Sequence, residues 1–109
     1  MKFPFQRMDA YQVAKEIARR VHALEIRNAE VKDQARRASV GAFLQLSEGL
    51  PDDRPAMRRR YFGIARNSLA EVVAAVDLGV TIGAIEQADA SEIDSLAHRL
   101  RGMLIALLR

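Results

Sequence analysis

The chain contains no cysteine and no tryptophan, and only two histidines, three prolines and six glycines. Without cysteine there can be no disulfide, thiolate zinc site, iron–sulfur cluster or cysteine nucleophile, which suits a reducing compartment. The small share of proline and glycine argues against a disordered or low-complexity chain. Aromatic residues make up 6% of the sequence, too few for a base-stacking module. No apolar run approaches the 18 or so residues that cross a bilayer. Near the start, Lys15, Glu16, Arg19 and Arg20 interrupt any leader-like stretch, so a cytoplasmic protein without a membrane segment is expected. What remains is 109 residues, half of them apolar and 28% charged. That is enough for one domain spanning residues 1–109 with a core of its own.

The charge is mildly basic, with a formal net of +3, and unevenly spread. Residues 1–60 hold 13 Lys and Arg against 8 Asp and Glu, whereas residues 61–109 hold 4 against 6. Fourteen of the 17 basic residues are arginine, whose planar fork suits phosphate and carboxylate. A coding bias toward arginine would give the same count.

The apolar periodicity is helical throughout, with no period-two alternation. A first helix is expected from Asp9 to Arg27, with Val13, Ile17, Val21 and Leu24 inward and Asn28-Ala29 as the turn. A second should run from Glu30 to Glu48, with Val31, Ala35, Ala38, Ala42 and Leu46 on one face and Val40, Phe43, Leu44 and Ser47 on its flank. Gly49 then reads as a positive-φ residue after the helix, and Pro51 as the stop. Asp53 reads as the cap of a third helix, Pro55 to Leu78, with Pro55 in its first turn. After Gly79 the segment up to Asp89 has no clear period. Ser91, with Asp94 three residues on, reads as a shortened capping box opening a last helix, whose core face is Ile93, Leu96, Ala97, Leu100, Leu104 and Leu107. Four helices with short connections give an all-α, antiparallel up-down four-helix bundle.

Three segments occur together: Met8-Asp9-Ala10-Tyr11-Gln12-Val13-Ala14; Arg36-Arg37-Ala38 with Glu48-Gly49 ending the same helix; and Tyr61-Phe62-Gly63-Ile64-Ala65-Arg66-Asn67-Ser68-Leu69-Ala70-Glu71. In order and spacing they resemble the four-helix-bundle family encoded in 23S rRNA intervening sequences, whose relatives include the accessory protein of diversity-generating retroelements. The resemblance covers about residues 8–108. The chain departs from the family pattern at Gly41, Gln45 and Asn67, where the family usually has Ser, Asn and Gly. The resemblance implies a helical bundle that assembles as a ring, commonly a homopentamer. It also implies a role tied to RNA or to an RNA-handling, reverse-transcriptase-like enzyme.

No constellation points to catalysis or to a cofactor. A di-iron bundle needs Glu-x-x-His pairs, and the residues three before His22 and His98 are Arg19 and Ser95. Phosphate-binding glycine loops and nucleophile elbows are absent, so neither metal nor cofactor is expected. A small enzyme using Glu48 or Glu71 as acid and base is the weakest alternative. Arg37, Gln45, Glu48, Arg66 and Glu71 read more simply as a half-buried polar network, because lone charges among apolar neighbours are costly.

Two surfaces are expected instead. Arg36, Arg37, Arg54, Arg58, Arg59 and Arg60 form a basic set able to track a phosphate backbone. The stretch from Leu69 to Val76 is apolar on nearly every side except at Glu71, and Met103, Ile105 and Leu108 widen the stripe of the last helix. Ala70, Val73, Met103, Ile105 and Leu108 are therefore the expected contacts between copies. The resulting expectation is a non-enzymatic oligomeric scaffold that contacts RNA, or an RNA-handling protein, through its arginines. The alternative is a purely structural or protein-interaction module with no nucleic acid.

Overall fold

The computed structural model describes residues 2–109. Among them, one turn of 3-10 helix, Pro4–Arg7, leads into α1 (Asp9–Ala23), α2 (Ala29–Gly49), α3 (Pro55–Thr81) and α4 (Gln87–Leu108). There are no strands among the described residues. Each helix packs on its neighbour in the chain, and α1 packs on α4 to close the ring of four. The alternation of direction follows from paired ends. Tyr11 meets Phe43 while Arg36 reaches His22; Gln34 meets Glu71 while Gly49 faces Phe62; Arg20 meets Glu92. The bundle is an elongated body of 43 × 28 × 20 Å.

The core follows the stripes expected for α1, α2 and α4, except that Leu24, Leu96 and Leu107 are only half-buried. Val13, Ile17 and Val21 of α1, Val31, Ala35 and Leu46 of α2, Phe62, Leu69, Val72 and Val76 of α3, and Ile93, Leu100 and Leu104 of α4 are all buried. Alanine on α2 (Ala35, Ala38, Ala42) lets the neighbouring helices approach closely at modest side-chain volume. At the amino-terminal end a chain of aromatic contacts, Phe3–Phe5–Tyr11–Phe43, covers the α1–α2 seam, with ring centroids 6.0, 5.8 and 4.9 Å apart.

Helix ends differ from the periodicity-based reading, each for a specific reason. Helix α1 stops at Ala23 and not at Arg27, because the chain beyond it serves the opposite connection: Ile26 is buried, and the Arg27 N–H donates to the Ala84 carbonyl at 2.9 Å. Asn28 is the N-cap of α2, its Oδ1 accepting from the Val31 N–H at 3.0 Å. Gly49 does not adopt positive φ and remains helical. Its missing Cβ serves packing, since a methyl there would lie 2.7 Å from the Phe62 ring. Asp52, and not Asp53, organises the next turn by accepting from the Arg54 N–H at 2.9 Å; the N-cap position of α3 is Arg54, which makes no side-chain cap bond. Pro55 occupies the first turn as expected.

The left-handed glycine lies after α3. Gly83 has φ 76°, its N–H donates to Val80 O at 3.1 Å, and the Ala84 N–H reaches back to Gly79 O at 2.7 Å. That is the double bond pattern of a Schellman motif, and it resolves the segment whose periodicity was blank. Ala84 and Ile85 then turn inward, and α4 begins at Gln87, four residues before Ser91. The Ser91 hydroxyl donates to the Gln87 carbonyl inside the helix, so it caps nothing.

Candidate functional site

The arginines expected to form one stripe have separate tasks. Arg36 crosses to α1 and donates to the His22 carbonyl at 3.2 Å, one of the carbonyls a helix end leaves without an intrahelical partner. Its Nε is buried without a partner. Arg58 does the same for α2, donating to the carbonyls of Leu50 at 2.8 Å and Gly49 at 3.3 Å while its guanidinium sits 4.9 Å above the Phe62 ring. Arg37 pairs with Asp33 one turn earlier. Arg54 chelates Asp52 through Nε at 3.0 Å and Nη2 at 2.7 Å. These bonds, together with the Arg54 backbone N–H, hold the Asp52 carboxyl at about 2, well below its ordinary value. Of the six, only Arg59 and Arg60 are exposed and form no ion pair among the described residues.

The expected polar network does not form within the chain. Arg37, Glu48, Arg66 and Glu71 all lie on solvent-facing surface, so no desolvation cost forces them together. Glu71 accepts from Gln34 Nε2 at 3.3 Å, Gln45 is half-buried, and Glu48 and Arg66 have no ion-pair partner among the described residues.

The residues expected at contacts between copies fall on two sides of the molecule. Met103 packs partly against the core and borders an open depression beside Met8 and Ala10. Leu108 is also half-buried against the core. Ile105 is half-buried and follows Asp94, His98 and Arg101 at helical spacing, on the side of α4 that faces α3. Ala70 and Val73 do line a surface feature: a groove of about 440 Å³ between α3 and α4, floored by Leu69, Ala70, Val73, Ala74 and Ala97. Val73 is 37% exposed in it. Charged residues divide along its rim. Arg66 and Arg101 stand at one end and Asp77 and Asp94 at the other, with His98 between them on α4.

On the far side of the bundle α2 presents a second unpartnered face. Asp33, Arg37, Val40, Leu44 and Glu48 follow at steps of four, three, four and four, and all five are exposed, Leu44 to 53% and Val40 to 40%. The sequence had placed Val40 and Leu44 on the flank of the buried stripe. The signal that they face water is their offset from the buried stripe of Val31, Ala35, Ala38, Ala42 and Leu46.

No group of three or more metal-ligating side chains occurs among the described residues, and no described helix is long and apolar enough to cross a membrane.

The sequence profile of the 23S rRNA-intervening sequence protein family matches residues 6–106. The chain belongs to this family. Among solved structures it is similar to a protein of unknown function from the S23 ribosomal protein family of Bacteroides thetaiotaomicron. The TM-score is 0.82 at 14% identity, with 92% of this chain and 98% of that one covered. At that identity the likeness concerns the fold, and it agrees with the four-helix bundle expected of a 23S rRNA-intervening sequence protein. Compared with curated proteins, the sequence has no match.

Proposed function

We propose that the chain is a non-catalytic scaffold of the cytoplasm that associates with copies of itself, five in the ring the family resemblance implies. In this reading it contacts RNA, or a protein that handles RNA, through arginines at the start of α3. The observation that carries the RNA contact is Arg59 and Arg60, which stay exposed and free of carboxylates while Arg36, Arg37, Arg54 and Arg58 are engaged within the fold. Two free cations on a protomer of net +3 make a weak patch. Repetition around an assembly multiplies it through effective concentration. Binding of this kind draws on counterion release, so it weakens steeply with salt and ignores sequence.

The test has two parts. Light scattering should give a mass several times 12.2 kDa, and a monomer at micromolar concentration would refute the scaffold reading. Gel-shift titration at low and at physiological salt should then show RNA retarded by the wild type, and less so by the double variant Arg59→Gln/Arg60→Gln at unchanged helicity and mass. If the wild type retards no RNA at low salt, the second reading stands: a protein-interaction module without nucleic acid. The engagement of four of the six expected arginines by the protein itself favours that second reading.

A further inference from the structure

The α3–α4 groove and the exposed face of α2 match each other in length and polarity and carry opposite charge at one end. Along the groove Arg66 and Asp77 of α3 lie eleven positions apart, about 16 Å along the helix. Arg37 and Glu48 of the α2 face lie eleven positions apart as well. Between its charged ends the groove is floored by alanines and Val73 and is concave. Between its own charged ends the α2 face carries Val40 and Leu44 and is convex. The groove has a cationic end and an anionic end; the α2 face has an anionic end at Glu48, and its other end holds Arg37 paired with Asp33.

We infer that the groove between α3 and α4 receives the α2 face of a second copy of this chain, in a head-to-tail contact. Leu44 and Val40 of one protomer enter between Ala70, Val73 and Ala97 of the next, and the small side chains of the floor let the helices approach. Glu48, which has no ion-pair partner among the described residues of its own protomer, then faces Arg66 and Arg101. At the other end Arg37, which uses one nitrogen on Asp33, faces Asp77 and Asp94. With this polarity the entering α2 runs antiparallel to α3 and parallel to α4. The reverse polarity sets Glu48, which has no ion-pair partner among the described residues, against two carboxylates, while Arg37 is offset by Asp33 either way, so Glu48 selects the direction.

Groove and ridge are different surfaces, so the contact is heterologous. Each copy uses both, and repetition closes a ring wherever the rotation between neighbours allows. This inference rests on the self-association proposed above and adds the surfaces that make it.

Because the two halves of the contact lie on different faces, they can be disabled separately. Leu44→Asp removes the ridge and leaves the groove; Val73→Glu removes the groove and leaves the ridge. Each variant alone should scatter as a monomer of 12.2 kDa with unchanged helicity. Mixed in equal amounts they retain one intact contact, and the mass should rise to twice that value and no further. A wild-type monomer would overturn both this inference and the scaffold reading. A wild-type oligomer whose mass survives both substitutions would overturn this inference alone, since assembly would then use another face.

A charge exchange at exposed positions keeps the test independent of folding. Glu48→Arg or Arg66→Glu should each weaken self-association by about tenfold, and the double variant should recover most of it. No recovery in the double variant would contradict the pairing of these two ends.

Discussion

The guanidinium of Arg58 donates to the main-chain carbonyl of Leu50 at 2.8 Å, so the first turn of the third helix closes the end of the second. A residue that looks like part of a phosphate-binding stripe in the sequence is thereby a structural bolt. Replacing it with Gln should cost about 1–3 kcal/mol, the usual range for a charged donor to carbonyls together with its aromatic contact. Arg59→Gln, one position on and exposed, should leave stability within about 0.5 kcal/mol of the wild type. Thermal melts of the two variants, followed by circular dichroism, check the contrast.

Arg36 offers a parallel case with a different outcome. Its Nη2 satisfies the His22 carbonyl, while its Nε is buried without a partner. Lysine keeps a donor of nearly the same reach and removes the orphaned group, so Arg36→Lys should melt close to the wild type. Arg36→Ala should lose about 1–2 kcal/mol through the freed carbonyl and the lost stem packing. If alanine and lysine melt alike, the contact to His22 carries no weight.

The helical glycines should separate into two groups. At Gly49 a methyl would lie 2.7 Å from a ring carbon of fully buried Phe62, and at Gly79 it would overlap Cδ1 of buried Ile85. Alanine at either position should destabilise by about 1–3 kcal/mol through overpacking. At Gly63 and Gly102 nothing lies within 4 Å of the added carbon, and both positions are helical. Alanine there should stabilise by about 0.5–1 kcal/mol. Denaturant titration of the four single variants gives the signs directly.

Acid should weaken the α2–α3 turn. The Arg54 side chain, followed by the Arg54 backbone N–H, holds the Asp52 carboxyl at about 2 in the folded chain, against 3.8 ordinarily. A group depressed in this way stabilises the fold at pH values above its ordinary pKa, and that contribution is lost as the pH falls toward 2. The melting-temperature difference between wild type and Asp52→Asn should therefore be constant from neutral pH down to about 5, then shrink as the pH falls, with most of it lost by about pH 2 and the rest below. Glu16, held at about 2 by Arg19 and then Arg20, should show the same window. A difference that persists unchanged at pH 2 would mean that Asp52 acts by its shape and not by its charge.

The sequence carried the bundle because burial writes itself as periodicity: Val13, Ile17 and Val21 or Ile93, Leu100 and Leu104 can face only one way on a helix. It carried the ends less well, because they are set across the chain. Helix α1 ends where the Ala84 carbonyl takes the Arg27 N–H, 57 residues away, and Gly49 is glycine because of Phe62, on another helix. The same limit applied to the charges. Arg36 and Arg37 are adjacent in sequence, yet one reaches back to α1 and the other pairs with Asp33 in solvent. Charge counts locate arginines without saying which have work inside the fold. The groove was half legible, through the apolar run containing Ala70 and Val73. The split of its rim into Arg66 with Arg101 and Asp77 with Asp94 needs both antiparallel helices in register.

The bond between Arg27 and Ala84 reaches beyond helix boundaries. With the Arg27 guanidinium on Gly83 O at 3.0 Å and Glu86 at 3.1 Å, and with Ile26 and Ile85 buried nearby, it ties the α1–α2 connection to the α3–α4 connection. An end helix, α1 or α4, can be exchanged between neighbouring molecules only if the connection leading to it swings free, and these two connections are latched to each other. Swapping either end helix would have to break that latch. In the self-association proposed above, copies of this chain should therefore meet with α1 and α4 in place, surface on surface, and part again on dilution without releasing either.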